Sequence, residues 1–169
     1  EYAGRGLDVV TVMPGGIYGP GDTSQIGELI RQAAHGRRVL APSGLRMCMA
    51  HVDDIAAGHV LAMDKGRAGE SYMLAGPQTT LVDVLRITAE IAGGKAPIVL
   101  PDVAVGASEK MMGLLERVAP VPSTYRAESL RASRASYLGS PAKANAELGW
   151  FARDLRIGLA ETVEDELRG

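Results

Sequence analysis

One cysteine, one tryptophan, one phenylalanine and three histidines in 169 residues leave this chain short of the side chains that build disulfide frameworks, metal centres and aromatic stacking platforms. Cys48 alone excludes an internal disulfide and fits a reducing compartment, so a cytoplasmic location is expected. No apolar run approaches the ~18 residues that span a bilayer, which excludes a transmembrane helix. Charge of one sign is lacking as well. With 18 Lys+Arg against 20 Asp+Glu the formal net charge is −2, and the Arg37–Arg38 pair is too short to track a phosphate backbone, so nucleic acid is excluded as a partner. His35, His51 and His59 offer no i,i+4 ligand spacing and no cysteine partner, so no metal is expected. The chain opens at Glu1 without an initiator methionine, a basic region or an apolar leader. EYAGRG reads as the tail of a helix closed by Gly4 or Gly6, whose body lies upstream.

What is present is an ordinary globular composition, 46% hydrophobic and 22% charged. Leu7 to Met13 is apolar and β-branched without clean alternation, the pattern of a central strand covered on both faces. It runs into a loop with Pro14, Gly15, Gly16, Gly19, Pro20 and Gly21, where the backbone can approach a ligand closely. Ser24 is a cap for a helix from Gln25 to about His35, and short strands are predicted near Arg38–Ala41 and Arg46–His51. Asp53 is read as the cap of a second helix with Ile55, Ala56, Val60 and Met63 as its apolar face, ending at Gly66. Glu70 to Leu74 is a strand. Thr79 or Thr80 starts a third helix, 81–92, with Leu81, Val84, Leu85, Thr88 and Ile91 at helical spacing and Gly93–Gly94 as its stop. A strand at Ile98–Leu100 follows, then helices over 103–118, 124–132, 141–148, with Ser140 as cap, and 157–167. Strands and helices alternate in the first half and helices dominate the second, so the fold class is α/β.

Four stretches, in order, carry a resemblance. VVTVMPGGIYGPGD, HVDDIAAGHVLAM, GESYMLAG with TLVDVLRITAEIAGGKAP, and SPAKANAELGW together resemble the C-terminal half of the extended short-chain dehydrogenase/reductases, the NAD(P)-dependent epimerase/dehydratase family. The pattern looks closest to its dihydroflavonol-reductase-like and hopanoid-associated sugar-epimerase-like branches. The resemblance implies the C-terminal part of a Rossmann-like parallel sheet interleaved with a small, mainly helical substrate-binding lobe. On that reading residues 1–13 and 53–94 belong to the NAD(P)-binding domain, and residues 14–52 and 95–169 to the substrate lobe and C-terminal helices. The family's catalytic Tyr-x-x-x-Lys pair and its glycine-rich cofactor turn would lie upstream of Glu1, so no catalytic residue is expected within the chain, and the chain alone is expected to be inactive.

The resemblance implies NAD or NADP as cofactor, with Pro14, Gly15, Gly16 and Ile17 closing over the nicotinamide. Tyr18 and Arg46 are the substrate-binding candidates, the arginine for a diphosphate or other anion. Two departures weaken a sugar-nucleotide substrate: Met47 stands where that arginine is expected, and Gly16 where many relatives carry asparagine. Adjacent Asp53 and Asp54 invite an acid/base reading. On a helix start they point in different directions, so capping and a favourable dipole contact are expected of them instead. The function implied is an NAD(P)-dependent oxidoreductase or epimerase acting on a small carbonyl, hydroxyl or sugar-nucleotide substrate. The alternative is a noncatalytic dinucleotide-sensing or interaction module of the same fold. Its partners besides the substrate would be a second copy in a homodimer or the missing N-terminal half.

Overall fold

The computed structural model describes residues 6–101, 103, 104, 136 and 138–168. Seven strands and five helices appear among them, in the order β1 (Thr11–Pro14), β2 (Gly16–Tyr18), α1 (Gln25–Ala34), β3 (Leu40–Pro42), β4 (Arg46–His51), α2 (Val52–Lys65), β5 (Ser71–Leu74), β6 (Gln78–Thr80), α3 (Leu81–Ile91), β7 (Ile98–Leu100), α4 (Ala142–Leu148) and α5 (Leu155–Arg168). β1 pairs with β5, β2 with β4 and β3 with β7, all in parallel, and β6 runs antiparallel to β4. The fold is mixed α/β with helical crossovers between parallel strands, as expected. Val103 and Ala104 are helical; the rest of the predicted helix 103–118 and all of 124–132 lie outside the described residues.

Two apolar cores sit on either side of β4, and strand alternation builds both. Met47 and Met49 face the first, where Ile30 and Ala33 of α1, Val84 and Leu85 of α3, and Leu155 and Leu159 of α5 meet. Ala50 faces the second, with Ile55 and Ala62 of α2, Tyr72 and Leu74 of β5, Leu148 of α4 and Trp150. α3 buries Leu81, Val84, Leu85 and Thr88, the face its spacing predicts, and its cap is Thr80, whose hydroxyl accepts from the Asp83 N–H at 3.0 Å. Ser24 caps α1 as expected, accepting from the Gly27 N–H at 3.1 Å. The Ser140 hydroxyl accepts from the Ala142 N–H at 3.3 Å, at the start of α4.

Three expectations change. α2 begins one residue before Asp53, and its cap is His51, whose Nδ1 accepts from the Asp53 N–H at 3.3 Å. Its buried face is Ile55, Gly58 and Ala62, while Val60 and Met63 are exposed, Met63 to 77%. The helix carries two apolar stripes, and the inner one wins because glycine lets α2 lie directly on the sheet. A Cβ at Gly58 would collide with Leu74 and come within 2.9 Å of Trp150 Nε1. The third change concerns the glycine–proline loop, part of which is a strand. Gly16–Tyr18 forms a parallel ladder with Met49–His51. β1 is also shorter than predicted and pairs with β5 on one edge; no strand pairs with its other edge among the described residues, and Leu7, Val9 and Met13 are exposed. No described helix is long and apolar enough to cross a membrane.

Candidate functional site

The carboxyl ends of β1 and β5 lie side by side. Pro14 is in register with Leu74, and the Gly15 N–H donates to the Leu74 carbonyl at 3.0 Å. Ligands of open α/β sheets bind just beyond such strand ends, because loops diverge there and leave a crevice. At this end Pro14 and Ile17 are exposed, Gly15 and Gly16 half-buried. The glycines answer first to packing. A Cβ at Gly15 would lie 2.8 Å from the Cys48 carbonyl, and one at Gly76 would collide with the Met49 carbonyl, so both loops are pressed against the backbone of β4.

Beyond the end of β5 lies a cavity of about 330 Å³, walled by Ala75–Gln78, by Gly139–Pro141 and by Phe151 and Ala152. It adjoins the loop, since Gly15 packs on Ala75. Asn145, with its amide nitrogen turned to the carbonyls of Pro141 and Trp150, donates to both at 3.0 and 2.8 Å and holds α4 against the following turn. Among the described residues the Gln78 side chain has no such commitment. Among the described residues none of the lining side chains is titratable. The described walls can hold a small, partly apolar molecule and hydrogen-bond it.

The candidate residues divide between the two sides of β4. Arg46 lies on the same strand face as Cys48, whose thiol contacts the Gly139 backbone at 3.4 Å, and opposite Thr80 two rungs beyond the Cys48–Gln78 pair. Arg46 is exposed, is not among the residues that wall the cavity, and forms no ion pair among the described residues. Tyr18 is elsewhere. It is 1% exposed in the first core, edge-on to His51 and under α5, where a Cβ at Gly158 would collide with its hydroxyl. Burial, and then the Asp54 charge, push its pKa above the ordinary tyrosine value. The expectation that Tyr18 lines the substrate site yields to its burial.

A second polar centre joins α2 to the C-terminal segment. Asp54 receives the Arg153 N–H at 2.9 Å and both Nε and Nη2 of its guanidinium at 2.9 and 2.8 Å, while Trp150 Nε1 donates to the Asp54 carbonyl at 2.7 Å. Burial works to raise the Asp54 pKa, but the Arg153 hydrogen bonds and charge outweigh it and hold the carboxyl below its ordinary value. This pairing makes Asp54 a structural anchor. Sequence reasoning missed Arg153 and the cavity residues Gln78, Gly139 and Phe151, since each acts across a long separation and no local motif marks it.

Comparison with known proteins agrees with this architecture. Residues 1–75 match the model of the NAD dependent epimerase/dehydratase family. The chain is 31% identical over 165 residues to sterol demethylase protein B of Methylococcus capsulatus, covering 94% of this chain and 50% of that one. It is 28% identical over 172 residues to a putative dihydroflavonol 4-reductase of Synechocystis sp., covering 95% and 49%. The crystal structure of gox2253 superposes with a TM-score of 0.80 at 28% identity, covering 97% of this chain and 50% of that one. The chain thus spans about half the length of the curated relatives it matches. A parallel α/β fold with its crevice at the ends of β1 and β5, and these relatives along nearly its whole length, make the chain similar to one half of proteins of the NAD dependent epimerase/dehydratase type.

Proposed function

We propose that this chain supplies the substrate-side wall and the nicotinamide-facing edge of an NAD(P)-dependent oxidoreductase or epimerase acting on a carbonyl, hydroxyl or sugar-nucleotide substrate. The observation that carries the reading is a crevice at the carboxyl ends of two parallel strands whose described lining offers groups for binding. Such a wall needs a complementary body to bring the acid–base residues. The free edge of β1, the exposed Leu7, Val9 and Met13, and the outer α2 stripe with Val60 and Met63 form the surface for it. An α/β segment bringing a strand and an apolar helix would cover both, and relatives twice as long have room for one. On this proposal residues 1–13 and 53–94 serve the dinucleotide side and residues 14–52 and 95–169 the substrate side, with α3 at the boundary because it packs on α1 and α5.

The residues present fit one end of a dinucleotide. Exposed Ile17 and Pro14 offer an apolar surface for a flat ring, and the half-buried Gly15 and Gly16 backbone keeps side chains out of its way. When bound, NAD or NADP supplies the hydride acceptor or donor. Pro14 to Ile17 orient the ring and exclude water, Gln78 hydrogen-bonds the substrate, and Arg46 attracts an anionic group on it. Proton transfer is assigned to the complementary body, since the described cavity lining carries no titratable side chain.

The 169-residue chain alone is expected to oxidise no NADH or NADPH with aldehyde, ketone or sugar-nucleotide substrates. Joined to an upstream polypeptide carrying Tyr-x-x-x-Lys it is expected to do so. Turnover by the pure chain contradicts the proposal. The same cavity, with no titratable group in its described lining, also suits a noncatalytic dinucleotide-sensing module, and a joined protein that binds cofactor without turnover selects that second reading.

A further inference from the structure

We propose that His51, Glu161 and Asp53 form a site for a divalent transition-metal ion between the start of α2 and the middle of α5. His51 is 1% exposed, and its Nε2 has no hydrogen-bond partner among the described residues. A buried ring nitrogen left unpaired costs stability, and such atoms in native proteins generally have an occupant. The nearest group facing it is Glu161, with Oε2 at 3.9 Å. On the other side of the ring, Asp53 Oδ2 is 3.5 Å from Nδ1. One ligand atom from each of the three residues can be chosen so that all lie within 4.8 Å of one another.

The spacing suits an ion. Two ligands each about 2.1 Å from zinc are separated by about 3.4 Å at a tetrahedral angle, so a gap of 3.9 Å between Nε2 and Glu161 closes with a small side-chain shift. Charge favours a dication. Among the described residues Arg153 is the cation that pairs with these carboxylates, one guanidinium shared by Asp53, Asp54 and Glu161, so the cluster keeps an excess of negative charge beside the His51 ring. Arg153 Nη1 also holds Glu161 Oε2 at 2.5 Å and so orients the carboxylate toward the ring. Coordination through Nε2 requires the ring proton on Nδ1, so the α2 cap from the Asp53 N–H gives way and Nδ1 donates instead to Asp53 Oδ2, 3.5 Å away, as an outer carboxylate holds a metal-bound histidine. An imidazole with carboxylates selects zinc, nickel, cobalt or copper over calcium or magnesium. Histidine spacing in the sequence hides the site, because Glu161 is brought in by α5.

The test uses the chain without a histidine tag, stripped of metal and titrated with Zn²⁺ against a chromophoric chelator, and with Co²⁺ followed by visible absorption. Binding of one ion is expected, with cobalt d–d bands and no thiolate charge-transfer band from Cys48. Glu161→Gln and Asp53→Asn should each weaken Zn²⁺ by about tenfold or more, and Zn²⁺ should raise the Tm of the unaltered chain but not of Glu161→Gln. Because His51→Gln removes a buried ring and can unfold the chain, these two surface variants decide. No saturable binding, affinity unchanged in Glu161→Gln, or affinity lost only on replacing His35 or His59 overturns the proposal.

Discussion

Replacing Trp150 with alanine is expected to destabilise the chain by about 3–5 kcal/mol, the range for truncating a large buried aromatic side chain. Trp150 is 2% exposed and closes the second core, touching α2 at the point where Gly58 leaves no side chain of its own. Its indole N–H also fixes the Asp54 carbonyl. Trp150→Phe keeps most of the packing and loses the hydrogen bond, so a cost of about 1 kcal/mol is expected. Since this is the sole tryptophan, urea unfolding must be followed by circular dichroism. A shift of the midpoint below about 1 kcal/mol for Trp150→Ala, at unchanged slope, would show that the second core does not depend on it.

Asp54→Ala should cost about 2 kcal/mol at neutral pH, because it removes the carboxylate that takes Arg153 Nε and Nη2 and leaves the guanidinium only Glu161. The same pair sets an acid limit. The folded-state pKa of Asp54 is lowered, so the stabilisation is fully present above the unfolded-chain value of about 3.9 and disappears as pH falls through the folded one. Unfolding midpoints of the unaltered chain should therefore drop below pH 4, while Asp54→Ala, already weakened, should lose less over the same interval. Parallel pH profiles for the two proteins would remove the pair from the account.

Much of the fold is legible in the sequence where local chemistry decides it. α1 and α3 announce themselves through Ser24 and Thr80 as caps and through apolar spacing, and both keep the predicted faces. β2 and β6 are missed because Gly16–Tyr18 and Gln78–Thr80 are only three residues each, too short to show an alternation, and become strands by pairing with β4. The α2 face was misread for a related reason. Two apolar stripes compete, and the choice between them is made by the sheet surface opposite Gly58, which no helical period encodes.

The site follows the same division. The exposed turn from Pro14 to Ile17 is marked by its glycines and proline, though Gly15 proves to be dictated by the Cys48 carbonyl. The cavity is invisible beforehand because its walls come from residues 75–78 and from residues 139–152, which meet only when α4 docks on β5. That docking rests on pairs of distant origin: Lys143 with Glu70, Arg67 with Glu147 at 2.7 Å, and the Tyr72 hydroxyl donating to Glu147 at 2.8 Å. Burial likewise reassigns Tyr18. A tyrosine beside a glycine loop looks like a ligand contact until α5 is laid over it.

The central claim is that the carboxyl ends of β1 and β5 face a nicotinamide. Titrating NAD⁺ and NADP⁺ into ¹⁵N-labelled protein tests it most directly, by mapping amide shifts residue by residue. With only the ring end of the site in this chain, affinity should be weak, about millimolar or roughly −4 kcal/mol, yet localised. Shifts at Gly15, Gly16, Ile17, Ala75 and Gly76, with α1 and α5 unmoved, are the result expected. Shifts confined to other surfaces, or none at cofactor concentrations well above a millimolar, would contradict it.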